Sequence, residues 1–346
     1  MKVAPTMQDV ARASGYSRAA VSMALRGDHS IPESTRQHIQ VVATRLGYRP
    51  SPLVAALMSL HRRRRSVSKA TTAIAYLTSH YSENPWRRQV IYRSMYAGAS
   101  ARAGELGYRL EEFNLKAKKM TPDRMRQILR TRQIHAVVVA PLPKRETQLD
   151  FDCSSLAVVG LGLSVHAPLL ERVSNNLFES AALAVERCVA LGYRRIGFVV
   201  SQETSHRLGH YWLAGYRFAV EKHGCAVDLP PLMTDRIEEL APVMPAWLRA
   251  HRPDVVILGN SEEELFGNVP LTIGVVDLSV ERRDSMRTGI FQNHHQLGGI
   301  AVEHVVGKLQ SGILGPLTEA HVHLVSGSWV PGASAPGPGH LRSLPS

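Results

Sequence analysis

From Thr71 to Val325 the apolar residues of this chain switch repeatedly between a period of two and a period near 3.6. Few architectures tolerate such alternation. It predicts strands and helices in turn, and hence parallel sheets covered by helices on both faces. A first series reads as strand 74–77, helix 87–106, strand 109–113, helix 121–132 and strands 136–139 and 158–160. A second reads as helix 177–191, strand 196–200, helices 213–223 and 237–251, and strands 255–258 and 272–276. Helix 297–309 and strand 322–325 close it. Leu106-Gly107-Tyr108 and Leu191-Gly192-Tyr193 place the same helix-to-strand turn in both series, as two similar lobes would. The fold class expected is a two-lobed α/β core over residues 71–331, behind a smaller all-α head. After it, residues 332–346 form a Pro/Gly/Ser tail expected to be disordered.

Several function classes drop out early. No uninterrupted apolar stretch approaches the roughly 18 residues of a membrane span. The first residues are polar and enter a helical pattern directly, which is not how a secretory leader reads. Cys153, Cys188 and Cys225 lie far apart without a CxxC, so neither a disulfide framework nor a zinc site is expected and a reducing compartment is. There is no GxGxxG after a strand, no P-loop, no GxSxG and no HExxH, so no enzyme and no cofactor is expected. His294-His295 and the pair His321 and His323 lack carboxylate partners, and no metal site is read from them.

Charge is unevenly spread. The whole chain carries 41 Lys and Arg against 29 Asp and Glu, a net of +12, and residues 1–69 hold twelve of the basic residues but three of the acidic ones. A basic end on a nearly neutral body points to a polyanion-binding module, against the plainer reading of a tail that aids solubility.

Within residues 1–50 three short helices fit. Thr6 and Asp9 stand at capping-box spacing before Met7, Val10, Ala11 and Ser14, and Gly15 ends that helix. Ser17 caps a second helix over 18–25, with Val21, Ala24 and Leu25 inward. A third starts near Pro32 and buries Ile39, Val42 or Ala43, and Leu46 before Gly47. Two helices joined by Gly15-Tyr16-Ser17 make a helix-turn-helix, whose second helix enters a major groove. Arg18, Ala19 and Met23 then occupy the base-facing side, Arg18 toward guanine and the other two toward thymine methyls or shape. Ser17, Ser22, Arg26 and Arg36 suit phosphates. A three-helix cap without a nucleic-acid role has the same periodicity, and the charge argues against it. Residues 51–70 read as a Pro-stiffened linker and a short hinge helix marginal by itself in water. Four arginines follow, of which Arg62 and Arg63 are assigned to phosphate.

These residues carry a resemblance. Thr6-Met7-Gln8-Asp9-Val10-Ala11, Ala13-Ser14-Gly15-Tyr16-Ser17, Ala20-Val21-Ser22, Thr35-Arg36 and Leu46-Gly47-Tyr48-Arg49-Pro50 resemble the head of the LacI/GalR family of bacterial transcription regulators. The resemblance implies a homodimer on a near-palindromic double-stranded DNA operator and a periplasmic-binding-protein-like core. Two hinge helices would lie in the minor groove, with Leu57 as the wedge and Val54 and Ala55 or Ala56 packing the pair. It also implies a polar metabolite, such as a sugar, as effector. The chain departs from the pattern in Met23, in the apolar hinge residues Pro52, Ala55 and Ala56, and in the second lobe.

Ligands of open α/β sheets settle beyond the C-terminal strand ends, between lobes where there are two. The corresponding loops offer Tyr81, Trp86, His206, His210, Trp212, Asn260 and Asp277, although Trp86 and Trp212 serve equally well as packing. The family places an effector-clamping arginine where Trp212-Leu213-Ala214-Gly215-Tyr216 has tryptophan. Arg207 is the nearest substitute. Gly259-Asn260-Ser261 lacks the expected aspartate, and the following helix is cut to 262–267. Two alternatives stay open: a ligand-independent regulator with a degenerate pocket, and a two-lobed binding protein whose head reads no specific DNA.

Overall fold

A computed structural model describes residues 5–25, 31–48, 72–81, 89–143, 145–225, 228–259, 263–319 and 321–341. The head contains α1 (Met7–Ser14), α2 (Arg18–Leu25) and α3 (Glu33–Leu46). Asp9 N donates to Thr6 Oγ1 at 3.4 Å and Thr6 N to Asp9 Oδ2 at 2.8 Å, so the capping box is formed. The Thr6 hydroxyl, which donates to Asp9 Oδ2 at 2.7 Å, and the Thr6 N–H hold the Asp9 carboxyl below its ordinary pKa. Gly15 leaves α1 at φ 76°, a left-handed backbone that a β-carbon would strain. Val10, Val21, Ala24, Ile39, Val42 and Ala43 close the core, so Val42 and Ala43 both turn inward.

The body has two six-stranded sheets. Lobe 1 contains β1 (Ala73–Thr78), β2 (Arg109–Asn114), β3 (Ala136–Val139), β4 (Ala157–Leu161), β5 (Glu171–Asn175) and β11 (Val322–Val325), in the order β11-β5-β4-β3-β1-β2. Lobe 2 contains β6 (Ile196–Ser201), β7 (Leu232–Thr234), β8 (Val255–Leu258), β9 (Gly274–Val280), β10 (Thr288–Phe291) and β12 (Ser328–Val330), in the order β12-β10-β9-β8-β6-β7. Pairing is parallel apart from β10 with β12. The chain therefore passes between lobes after β5, after β10 and after β11, which gives the core three crossovers.

Close helix contacts fix each lobe. In lobe 1, α4 (Val90–Glu105) packs on α11 (His294–Ser311). A β-carbon on Gly98 would stand 1.8 Å from His295 O, and one on Gly298 1.9 Å from Met95 O, so the backbones touch. In lobe 2, α6 (Leu177–Ala190) meets α8 (Tyr211–Lys222) at Gly215, whose β-carbon would lie 2.2 Å from Phe178 O. The glycine of the Trp-x-x-Gly motif thus serves helix packing.

Three expectations need correction. The segment after β6, read as a loop to Trp212, holds α7 (Gln202–Arg207), capped by the Ser201 side chain accepting from Thr204 N. The segment from Asp277 to Val280, also read as loop, is strand and buried throughout. The part of the tail that is described, residues 332–341, packs on lobe 2. Val275 N donates to Ser334 O and Ser334 Oγ to Val275 O, both at 2.7 Å, and Gly337 N donates to Tyr193 Oη at 3.1 Å. Composition suggested disorder there, but buried backbone groups of β9 need partners and the tail supplies them. The cut-down helix after β8 is present as α10 (Glu263–Gly267).

Candidate functional site

At the head, Ser17 Oγ accepts from Ala20 N at 3.2 Å and starts α2. The inner side of that helix is spent on Val21 and Ala24. Ser17 and Arg18 are exposed, and Ser22 and Met23 are half-buried. Ala19 lies in the helix. Arg36 is paired with Glu33 and its side chain is only 15% exposed, so in this structure it ties down the first turn of α3. Tyr16, which sequence reasoning passed over, is 39% exposed and meets the His38 ring edge-on at 6.1 Å between centroids. Arg26, Val54, Ala55, Ala56, Leu57, Arg62 and Arg63 lie outside the described residues.

Between the lobes is a cavity of about 450 Å³. Lobe 1 contributes Tyr92, Pro141, Ser164 and Ser174, and lobe 2 contributes Glu203, Arg207, Trp212 and Ser279, among others. Of the residues expected there, Arg207 and Trp212 line it. Arg207 Nη2 donates across the cleft to Leu142 O at 2.6 Å and to Tyr92 Oη at 3.2 Å. Beside it, Arg145 Nε donates to Glu203 Oε1 at 3.2 Å. Trp212 is 8% exposed, and its buried Nε1 has no hydrogen-bond partner.

The other expected residues that the structure describes are elsewhere. Tyr81 is 78% exposed, with the Lys116 ammonium 4.9 Å from its ring centroid. His206 is exposed, 5.8 Å from the His166 ring and 6.0 Å from that of His210. His210 is exposed, and its Nδ1 is 2.9 Å from Ser205 Oγ. Asp277 does not line the cavity. It is 1% exposed within β9, accepts from Ser279 N at 2.8 Å and lies 3.8 Å from Arg287 Nη1. Trp86 and Asn260 lie outside the described residues.

Sequence reasoning missed a polar seam where the chain crosses over. Asn175 Nδ2 donates to Gln292 O, and Gln292 Nε2 to Leu278 O at 2.6 Å. His294 follows at the start of α11, and burial pushes its pKa down to about 4, so its imidazole is neutral at physiological pH. A detectable signal was a polar residue directly after a short apolar run, as at Phe291-Gln292. Burial and the Arg207 charge also lower the His80 pKa.

A three-helix head and a two-lobed α/β body around an interlobe cavity define the architecture of a bacterial regulator with a periplasmic-binding-protein-like core. The family model for bacterial regulatory proteins, lacI family, matches residues 6–51. That for periplasmic binding proteins and the sugar binding domain of the LacI family matches residues 71–274. The chain belongs to the LacI family.

Its curated relatives include the HTH-type transcriptional regulator GalR of Lacticaseibacillus casei, 28% identical over 58% of this chain and 55% of that protein. The HTH-type transcriptional regulator PtxS of Pseudomonas plecoglossicida is 26% identical over 55% of this chain and 52% of its own length. The chain thus spans about half the length of the curated relatives it matches. Among solved structures, a transcriptional regulator CelR–cellobiose complex superposes with TM-score 0.56 at 18% identity, covering 96% of this chain and 100% of that one. The lac repressor dimer bound to operator and the anti-inducer ONPF gives 0.51 at 16% identity, over 96% and 99%. At these identities the likeness concerns the fold. Among the described residues no helix is long and apolar enough to cross a membrane.

Proposed function

We propose that this chain is a sequence-specific DNA-binding transcription regulator, acting as a repressor. It binds a near-palindromic operator as a homodimer and answers to a small molecule in the interlobe cavity. It has no catalytic role and works in the bacterial cytoplasm, at the nucleoid. The observation that carries this is the Ser17-capped helix α2, whose Val21 and Ala24 face the head core while Arg18 stays exposed. An exposed arginine at the start of a helix held by a tight turn suits a guanine edge in the major groove.

In this reading Arg18, Ala19 and Met23 face bases. Ser17, Ser22, Arg26, Arg62 and Arg63 grip phosphates, and Arg36 does so only on exchanging Glu33 for phosphate. Leu57, with Val54, Ala55 and Ala56, opens the minor groove at the operator centre. Arg207 and Trp212 take the effector. The cavity lies between lobes that three crossovers join, so a ligand preferring one lobe arrangement shifts operator affinity by its differential affinity for the two.

Selection of bound duplexes from a random pool, followed by footprinting, tests this. A two-half-site consensus with two-fold symmetry, bound by a dimer in sedimentation, is expected. Binding without sequence preference at moderate salt, or a monomer on the selected duplex, overturns it.

A further inference from the structure

Arg207 enters the interlobe cavity with only part of its hydrogen-bonding capacity used. Its Nη2 donates to Leu142 O and Tyr92 Oη, which holds the guanidinium against lobe 1. A guanidinium has five N–H donors. Those on Nε and Nη1 of Arg207 meet no acceptor among the described residues. The adjacent carboxylate of Glu203 is turned to Arg145 at 3.2 Å, and Glu281, the other acidic residue of the described lining, is exposed. The Arg207 charge is therefore left for something else. It is felt as far as His80.

Much of the remaining wall is apolar: Ile91, Met95, Leu163, Leu208 and the Trp212 indole. Two lining amides that a polyol would call on are partly engaged. Asn175 and Gln292 each give one side-chain N–H to a backbone carbonyl, and Asp277, outside the lining, is held within β9 beside Arg287. A cation with spare donors set in an apolar wall matches an amphipathic anion. The charge-assisted bonds orient one end of it, and burial of the other end supplies affinity.

We infer that the interlobe cavity takes a small organic carboxylate with an apolar or aromatic body, its carboxylate on Arg207 and its body against Trp212 and the aliphatic side chains. This rests on the proposal that the cavity is the effector site, and it replaces a sugar by an amphipathic acid as the class of effector. A volume of about 450 Å³ holds one ring and a short acid chain.

Titration calorimetry on the full chain tests it, with phenylacetate and phenylpyruvate as probes. Phenylacetamide serves as the uncharged counterpart of the first, and glucose and cellobiose serve as polyols. Saturable binding of a carboxylate is expected, at least about tenfold tighter than the amide. Arg207→Gln should weaken the carboxylate about tenfold or more and leave the amide unchanged, while Arg207→Lys, which keeps the charge, should retain part of the affinity. The inference is overturned if neither acid binds at millimolar concentration, if the amide binds as well as the acid, or if Arg207→Gln binds acids like the parent. Binding of glucose or cellobiose in place of the acids overturns the carboxylate class and leaves the effector reading standing. Operator titration in parallel separates the two: an acid that binds without moving operator affinity supports this site and defeats the effector reading.

Discussion

The carboxylate of Asp277 lies 3.8 Å from the Arg287 guanidinium, which also stacks 3.7 Å above the Phe266 ring and pairs with Glu263 at 2.5 Å. An aspartate in a position that suggests a ligand contact is thus half of an internal clasp. The clasp ties α10 to β9 and the start of β10.

Removing Arg287 leaves a buried carboxylate and an uncovered ring. Arg287→Ala should cost about 3 kcal/mol in urea unfolding, in the range for breaking a buried pair from one side. Asp277→Asn should cost less, because it removes the charge together with its need for a partner. Equal, small losses would show that the clasp contributes little.

The two glycines facing each other across α4 and α11 make a sharper test. Gly98→Ala puts a methyl group 1.8 Å from a backbone oxygen, so the helices must separate, at a cost of about 2 kcal/mol or more. At Gly299 the same change meets Arg102 Cβ at an ordinary 3.6 Å. Gly299→Ala should be neutral or stabilising in thermal melts.

His294 makes stability depend on pH. Its folded pKa is about 4, against about 6.5 in the unfolded chain. Its contribution is intact above about pH 6.5. Below that, the unfolded chain binds the proton first and stability falls, by at most about 1.4 kcal/mol per pH unit, until about pH 4. His294→Gln should flatten this window in urea titrations at pH 7, 6 and 5.

In the head, Thr6→Ala removes the side-chain cap of α1 and should cost about 1 kcal/mol of local stability, read as faster amide exchange over residues 7–14. Asp9 has a lowered pKa, so its support of the cap is full above the ordinary carboxylate range. It is lost only as pH falls through the depressed value, and α1 should fray in strong acid and not near neutrality.

Arg18→Ala should weaken binding to the selected operator by about 1–3 kcal/mol and relax base preference at one position of each half-site. Binding to random duplex and its salt dependence should change little. Equal loss on both duplexes would place Arg18 on the phosphates.

Much of the architecture was legible because it rests on local rules. The capping box at Thr6 and Asp9, the left-handed turn at Gly15, the alternating periods and the repeated Leu-Gly-Tyr turn all act over a few residues, and each appears where its pattern places it. The strands β5, β7, β10 and β12 were missed for the complementary reason. They are short, and Glu171–Asn175 is polar at both ends, so their pairing is decided by neighbours far away in the chain.

The order of residues alone determined the alternation, the caps, the basic head and the family to which they belong, since these depend on neighbours within one or two turns. Tertiary structure alone decided that Arg207 reaches Leu142, that Asp277 turns to Arg287 instead of the cavity, and that a Pro/Gly/Ser tail covers the start of β9. Each of these joins groups tens of residues apart. Such pairs are settled by which buried polar atoms the packed lobes leave in need of a partner, and no local pattern records that need.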